Sequence, residues 1–223
     1  MARLPGGVRH VAVGAASAIP ATACRLLAAQ GAKIRMSMLH RRAGNPFSEG
    51  SRELFDLAGQ GRIDVFFLGG AEIDGEANIN LVRANGHRFP GSFGSAFMYF
   101  TCATILFREE HSRRTLVPKV EFISAPGWSP PDVARRGGPA ALVTGKALFA
   151  WQKARRRFRL ESVHAGHPEA EVREATGFEF DGAGVPQTPS PTERELELLR
   201  GPVARGIAAD YPDFARRVWG AAP

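Results

Sequence analysis

The apolar residues of this chain come in short runs closed by small residues. Val65-Phe66-Phe67-Leu68 is the clearest case: four large apolar positions in succession, stopped by Gly69-Gly70. So short a run, rich in β-branched and aromatic residues, predicts a strand covered on both faces, and its two glycines allow a sharp turn or a close backbone approach. Val8 to Val13 predicts an earlier strand, followed by the small residues Gly14 to Ser17, Pro20 near a helix start, and a helical run from Ala21 to Gln30. That order opens a βαβ unit, whose loop either holds phosphate at the helix N-terminus or packs strand closely against helix. Lys33 to Leu39 predicts a second strand, and Ser51 to Ala58 a short amphipathic helix leading into the central run. Ser48 is expected to cap that helix, with Glu49 in its first turn.

Beyond Gly70 the pattern becomes polar. Asn78 and Asn80 flank one apolar residue, so an extended segment points both amides to one face. Pro90 to Ser95 forms a second glycine-rich loop, and Ala96 to Phe107 is long enough for a strand or a short buried helix. Two such loops around a short polar strand pair can line a site where backbone N–H groups face a ligand. Arg108 to Arg114 predicts a solvated turn, Phe122 to Gly127 a strand ending in a turn, and Trp128 to Gly138 a loop. Pro139 to Thr144 and Lys146 to Trp151 predict two strands about Gly145, and Lys153 to Arg159 a basic turn running into an edge strand. His167 to Phe178 predicts a helix stopped by Gly177. Thr192 with Glu195 predicts a capping box, and the tail from Tyr211 to Pro223 is expected to be loosely held. Early strand–helix alternation with glycine turns at strand ends predicts one domain over residues 1–223. Its expected fold is α/β, a three-layer α/β/α arrangement around a mainly parallel sheet.

Composition narrows the partners. The 223 residues carry a formal net charge of +7 and are 44% hydrophobic, enough for a sizeable core and an anionic partner. Nucleic acid and a phosphate-rich small molecule such as coenzyme A both qualify. The run Lys153 to Arg159 is the best nucleic-acid candidate, yet its single interleaved aromatic fits an edge strand better, so nucleic acid is not expected. Cys24 and Cys102 sit in apolar surroundings without metal-pair spacing and read as buried free thiols. His164 and His167 lack further ligands, so no metal is expected. With no membrane-length apolar run and no signal-peptide core, the chain predicts a soluble, cytoplasmic protein.

GGAEIDGEANIN followed by RFPGSFGSA resembles the β subunit of family I coenzyme A transferases, in which a buried strand leads to a Gly-Ala-x-x-Val/Ile-Asp segment, Gly-Asn-x-Asn and a Pro-Gly-Ser-Gly-Gly-type loop. VGAASAIP, the FISAPG segment and the pairing of His167-Pro168 with Thr176-Gly177-Phe178 extend the similarity over nearly the whole chain. Two positions depart from the pattern: Ala77 stands where glycine is usual, and Phe93 where a small residue is usual. The family also has a helix before the first strand; only Met1 to Gly7 precede it here, so that helix is missing or the start is truncated.

The resemblance implies the fold shared by coenzyme A transferases and sugar-phosphate isomerases. It implies an α subunit as partner, with the active site between the subunits and the surface around Gly91 to Phe100 covered by that partner. Acyl-coenzyme A is the implied substrate, with no permanently bound cofactor. It places Gly70, Asn78, Gly91, Ser92 and Gly94 around the substrate and coenzyme A, with Asn80 catalytic near the oxyanion. The family's nucleophile is a glutamate at the end of the second strand, which forms an acyl anhydride. Leu39, His40 and Arg41 occupy that place, and none is a carboxylate; Glu49 is a distant substitute. His40 can serve as a general base on water, and Arg41 can hold a phosphate or carboxylate. The expected function is thus the β subunit of a coenzyme A transferase-like enzyme without its own nucleophile. The alternatives are a ring-opening type coenzyme A-ester hydrolase subunit that relies on the α subunit's glutamate, and a non-catalytic phosphate- or nucleic-acid-binding module.

Overall fold

The computed structural model describes residues 7–41 and 47–220; Met1 to Gly6, Arg42 to Pro46 and Ala221 to Pro223 lie outside the described residues. The sheet is built from β1 (His10–Val13), β2 (Arg35–Met38), β3 (Val65–Leu68), β8 (Ala103–Arg108), β9 (Gly138–Thr144), β10 (Ala147–Gln152) and β11 (Arg157–Val163). Its order is β2-β1-β3-β8-β9-β10-β11. The first five of these run parallel, and β9, β10 and β11 close one side as an antiparallel meander. Two small hairpins stand outside the sheet: β4 (Glu72–Ile73) with β5 (Ile79–Asn80), and β6 (Arg83–Ala84) with β7 (His87–Arg88).

Strand alternation divides the apolar residues between two cores. Ala12, Phe66, Leu68, Leu106, Leu142 and Phe149 face the helices α2 (Ser51–Gly59), α3 (Ser95–Thr101) and α4 (Glu169–Ala175). Val11, Val13, Val65 and Phe67 face α1 (Ala18–Ala29) and the C-terminal helices α5 (Glu193–Leu198), α6 (Ala204–Asp210) and α7 (Pro212–Trp219). β3 is buried at all four positions, as its uninterrupted apolar run requires. The expected three layers and mainly parallel sheet are therefore present. The apolar segment after the second glycine loop is both things its pattern allowed, α3 followed by β8. The capping box also forms: Thr192 Oγ1 accepts from Glu195 N, and the Glu195 side chain accepts from Thr192 N.

Four expectations are corrected. Helix α2 starts at Ser51 as its pattern predicts, but its N-cap is Gly50 and not Ser48. Ser48 Oγ and the Glu49 N–H both donate to Glu53, which takes the first-turn role, and Glu49 is exposed. Phe122 to Gly127 is not a strand: a single bridge, Ile79 to Ala125, joins it to β5, and Gly127 packs closely on the Glu76 and Ala77 backbone. The turn after β8 is not simply solvated, since His111 is buried within it. The tail is not loose between Tyr211 and Gly220. Ala215 is fully buried, Tyr211 Oη donates to the Gly14 carbonyl at 3.0 Å, and Arg217 forms a two-point ion pair with Glu109.

His111 locks the β8–β9 region to α4. Its ring nitrogens meet Thr144 Oγ1 at 2.7 Å and Thr176 Oγ1 at 3.0 Å. Loss of water on burial pulls the imidazole down from about 6.5 to about 4. A histidine whose folded-state pKa is depressed binds fewer protons folded than unfolded between those two values. Its contribution is therefore complete above pH 6.5 and lost as pH falls toward 4, with a slope of up to about 1.4 kcal/mol per pH unit. Urea unfolding between pH 7 and pH 4.5 should show this decline. The His111→Asn variant should start less stable and show a flatter profile; an unchanged slope in that variant would count against the assignment.

Candidate active site

The parallel strands β1, β3 and β8 end on one side of the sheet, and the loops leaving them frame a cleft of about 960 Å³. Gly14 to Ser17 follow β1, Gly69 to Ala71 follow β3, and Arg108 ends β8 with Glu109 and Glu110 after it. Gly91, Ser92 and Phe93 close the cleft from the loop before α3. Open α/β sheets bind ligands at this edge. The loops need their small residues. A Cβ on Gly70 would come within 2.8 Å of the Glu72 carbonyl and 2.9 Å of Ile79, so β3 could not turn into β4 with a larger residue there. Gly91 takes φ +102°, which an L side chain rarely adopts. A second, apolar pocket of about 290 Å³ between α1 and the sheet shares Ile19, Phe67, Phe107, Arg108 and Glu109 with the cleft.

Of the residues singled out from sequence, Gly70, Gly91 and Ser92 line the cleft. Gly94 stands just behind them as the N-cap of α3, against the Phe55 ring. Asn78, Asn80 and His40 are not among the lining residues. The Asn80 side chain is fully buried, and its amide nitrogen donates to Glu72 Oε2 at 2.7 Å and to the Arg83 carbonyl. Its oxygen accepts from the N–H groups of Val82 and Arg83. Asn78 donates to Asp74 Oδ2 at 3.1 Å and accepts from Gly127 N. Both Asn80 amide hydrogens are thus engaged within the chain. The two asparagines form separate pairs, Asn80 with Glu72 and Asn78 with Asp74.

At the end of β2, His40 faces the C-terminal helices. Its Nε2 lies 4.0 Å from Asp210 Oδ1, and its ring lies 4.9 Å from the Tyr211 ring. Both ring nitrogens are buried and have no hydrogen-bond partner among the described residues. Arg41 and Arg25 both bond to Asp210. Burial raises the Asp210 carboxyl, but the two arginines outweigh it and hold its pKa below the usual value. Arg41, expected to be available for a phosphate or carboxylate, is engaged with this internal acid.

The carboxylates that do line the cleft are Glu109 and Glu110. Hydrogen bonds from Arg217 lower the pKa of Glu109, and bonds from Ser112 and then Arg114 lower that of Glu110. The charged turn was the signal for these residues, but its sequence resembles any solvated turn. The basic run is spent internally: Arg155 and Arg157 meet Asp181, Arg159 meets Glu161, and Arg156 lies over the Trp128 ring. Burial pushes the Cys24 thiol up to about 12 and raises that of Cys102. Among the described residues no three His, Cys, Asp or Glu side chains gather as metal ligands, and no helix is long and apolar enough to cross a membrane.

Comparison with known proteins gives the cleft a context. No family model matches the sequence. The chain is 34% identical over 161 residues to the B subunit of the 3-oxoadipate CoA-transferase of Pseudomonas knackmussii, an alignment covering 67% of this chain and 62% of that protein. It spans about three fifths of the length of the curated relatives it matches. Its fold matches the glutaconate coenzyme A-transferase of Acidaminococcus fermentans with a TM-score of 0.76 at 20% identity, over 96% of this chain and 92% of that one. It matches the decarboxylase AibA/AibB with a TM-score of 0.74 at 24% identity, over the same shares of the two chains.

The Asn80 network yields a prediction about stability. Asn80→Ala leaves the buried Glu72 short of a donor and takes a partner from two half-buried N–H groups and from the Arg83 carbonyl, at a cost of about 3 kcal/mol. For a domain of this size the melting temperature should fall by roughly 6–12 °C, read by calorimetry. A native melting temperature in that variant would show that the amide has no structural task.

Proposed function

From this kinship with the B subunits of coenzyme A transferases, we propose that the chain is the B-type half of a two-subunit enzyme acting on acyl-coenzyme A thioesters. An A-type partner supplies the carboxylate that attacks the thioester. One observation carries the assignment of the nucleophile to the partner. The end of β2 bears Leu39, His40 and Arg41, and the two carboxylates of the cleft are tied to Arg217 and Arg114. A carboxylate with a lowered pKa, bound by an arginine, is a poor nucleophile.

In this reading the partner's carboxylate adds to the thioester carbonyl, and collapse of the tetrahedral adduct expels the coenzyme A thiolate and leaves an acyl anhydride. This chain binds and orients the thioester. Gly70, Gly91 and Ser92 bring backbone close to the substrate, with Gly94 starting α3 behind them, and N–H groups aimed at the developing oxyanion favour the transition state over the ground state. Asn78 and Asn80 act by holding the β4–β5 hairpin that follows Gly70. The exposed aromatic rim, with Phe93 93% exposed and Phe89 and Phe97 about two fifths exposed, is covered by the partner. Coenzyme A is substrate rather than resident cofactor, and the two buried thiols without a disulfide fit a reducing cytoplasm. A second reading, hydrolysis with water as the final acyl acceptor, rests on the same lack of a free carboxylate on this chain.

Two outcomes are expected. The chain alone is inactive. Co-expressed with its A-type partner and incubated with acyl-coenzyme A and hydroxylamine or borohydride, the complex carries the modification on an acid of the partner, as mapped by mass spectrometry. A modified Glu109, Glu110 or Glu49, or full activity without a partner, would overturn the reading. His40→Ala separates a base from a bystander. Removing a general base costs about 100-fold or more in kcat, whereas the buried ring nitrogens of His40 lead us to expect a change of no more than about threefold.

A further inference from the structure

The 290 Å³ pocket between α1 and the sheet runs into the 960 Å³ cleft, since Phe67, Phe107 and Glu109 border both. Gly69 marks the junction. It lines the cleft, and a Cβ on it would lie 3.5 Å from the Phe107 ring, so the pocket opens beside Gly70. Away from the cleft its walls are Ala23 and Leu27 of α1, Ile105 of β8, Val143 of β9 and Leu148 of β10. The polar groups around it have partners of their own. Thr144 Oγ1 is bonded to His111 and to the Ala147 carbonyl, and burial keeps the Cys24 thiol uncharged. Glu109 takes both terminal nitrogens of Arg217, and Arg108 pairs with Glu110 at 3.7 Å.

These walls choose the occupant. The phosphates and amides of coenzyme A would lose water there without gaining a partner, and a carboxylate on the acyl group would meet Glu109 at the mouth. A hydrocarbon gives up no hydrogen bond on entering, and each methylene it buries is worth about fourfold in affinity. An apolar cavity of about 150 Å³ holds a benzene molecule, so this one has room for roughly ten carbons. We propose that the pocket receives the hydrocarbon tail of the acyl group, so that the enzyme takes coenzyme A thioesters of uncharged, medium-chain acids. The thioester itself stays in the cleft at Gly70, and the tail turns past Gly69 and Phe107 into the space beneath α1. The inference rests on the acyl-coenzyme A reading above and adds to it the class of acyl group.

The test is isothermal titration of the full chain, alone and with its co-expressed A-type partner. The ligands are coenzyme A and its acetyl, butyryl, hexanoyl, octanoyl, decanoyl and dodecanoyl thioesters, with octanamide as a neutral tail free of coenzyme A. Affinity should rise by about fourfold per methylene and level off at about ten carbons. Ala23→Phe puts a ring into the pocket and should remove that rise, with the loss confined to the longer thioesters. Val143→Phe fills the same space from the sheet and serves if the first variant fails to fold. A rise that survives both variants would put the tail elsewhere and overturn the proposal, as would equal affinity along the series in the wild-type complex. A rise seen in the isolated chain and lost in the complex would give the pocket to the partner subunit, and overturns it as well. If neither coenzyme A nor any thioester binds, the acyl-coenzyme A reading falls. The pocket is then decided by octanamide: binding that disappears in Ala23→Phe upholds a hydrocarbon site, and absence of binding overturns it.

Discussion

Two carboxylates buried beneath the loop layer hold this structure's working edge in place. Glu72 and Asp74 are both nearly inaccessible, and a carboxylate without water must be surrounded by donors. Asn80 and Asn78 provide side-chain amides, and the N–H groups of Glu121, Val120, Glu76 and Asn78 provide the rest. The compensation at Asp74 is incomplete: burial raises its pKa despite the bonds that lower it. The gain is geometric. The pairs fasten β4 to β5 and both to residues 120–127, and Gly127 lies against the Ala77 backbone. Ala77 in turn accepts the Tyr99 hydroxyl at 2.8 Å, which ties α3 to the same block. Since α3 begins at the 91–95 loop, one wall of the cleft is positioned by acids that never reach it.

This explains how much the sequence could disclose. Strands, glycine loops and the capping box are local matters of period and turn chemistry, and they were readable. Side-chain partners were not. The spacing of Asn78 and Asn80 predicts a shared face but cannot say that Glu72 and Asp74 lie on it, because the register of β4 against β5 decides that. Likewise the string from Arg108 to Arg114 has the composition of an exposed turn. Which of its charges looks into a cavity depends on Arg217, more than a hundred residues away in the chain.

The two departures from the resembled motif have a shared physical character. Ala77 adopts φ +61° and Phe93 φ +47°, both in the left-handed region where a side chain costs about 1–2 kcal/mol. Glycine or another small residue is what such positions favour. At Ala77 the burial of the methyl group and the bond from Tyr99 offset that cost. At Phe93 nothing among the described residues does, since the ring is 93% exposed. A left-handed backbone that holds a bare aromatic at the mouth of a cleft is a surface that the covering subunit proposed above would bury.

The end of β2 completes the division of labour. Asp210, carried on α6 from the far end of the sequence, receives Arg25 and Arg41, while Tyr211 bonds to the Gly14 carbonyl and lies against the His40 ring. These contacts clamp the C-terminal helices onto the carboxyl ends of β1 and β2. An acid at position 40 would face Asp210 at close range, compete with it for the same two arginines, and hold its proton more tightly for being beside another anion. The site where a catalytic glutamate is expected is therefore occupied by a structural ion cluster. In the function proposed above the attacking carboxylate arrives on another polypeptide, and the end of β2 in this chain serves to anchor the C-terminal helices.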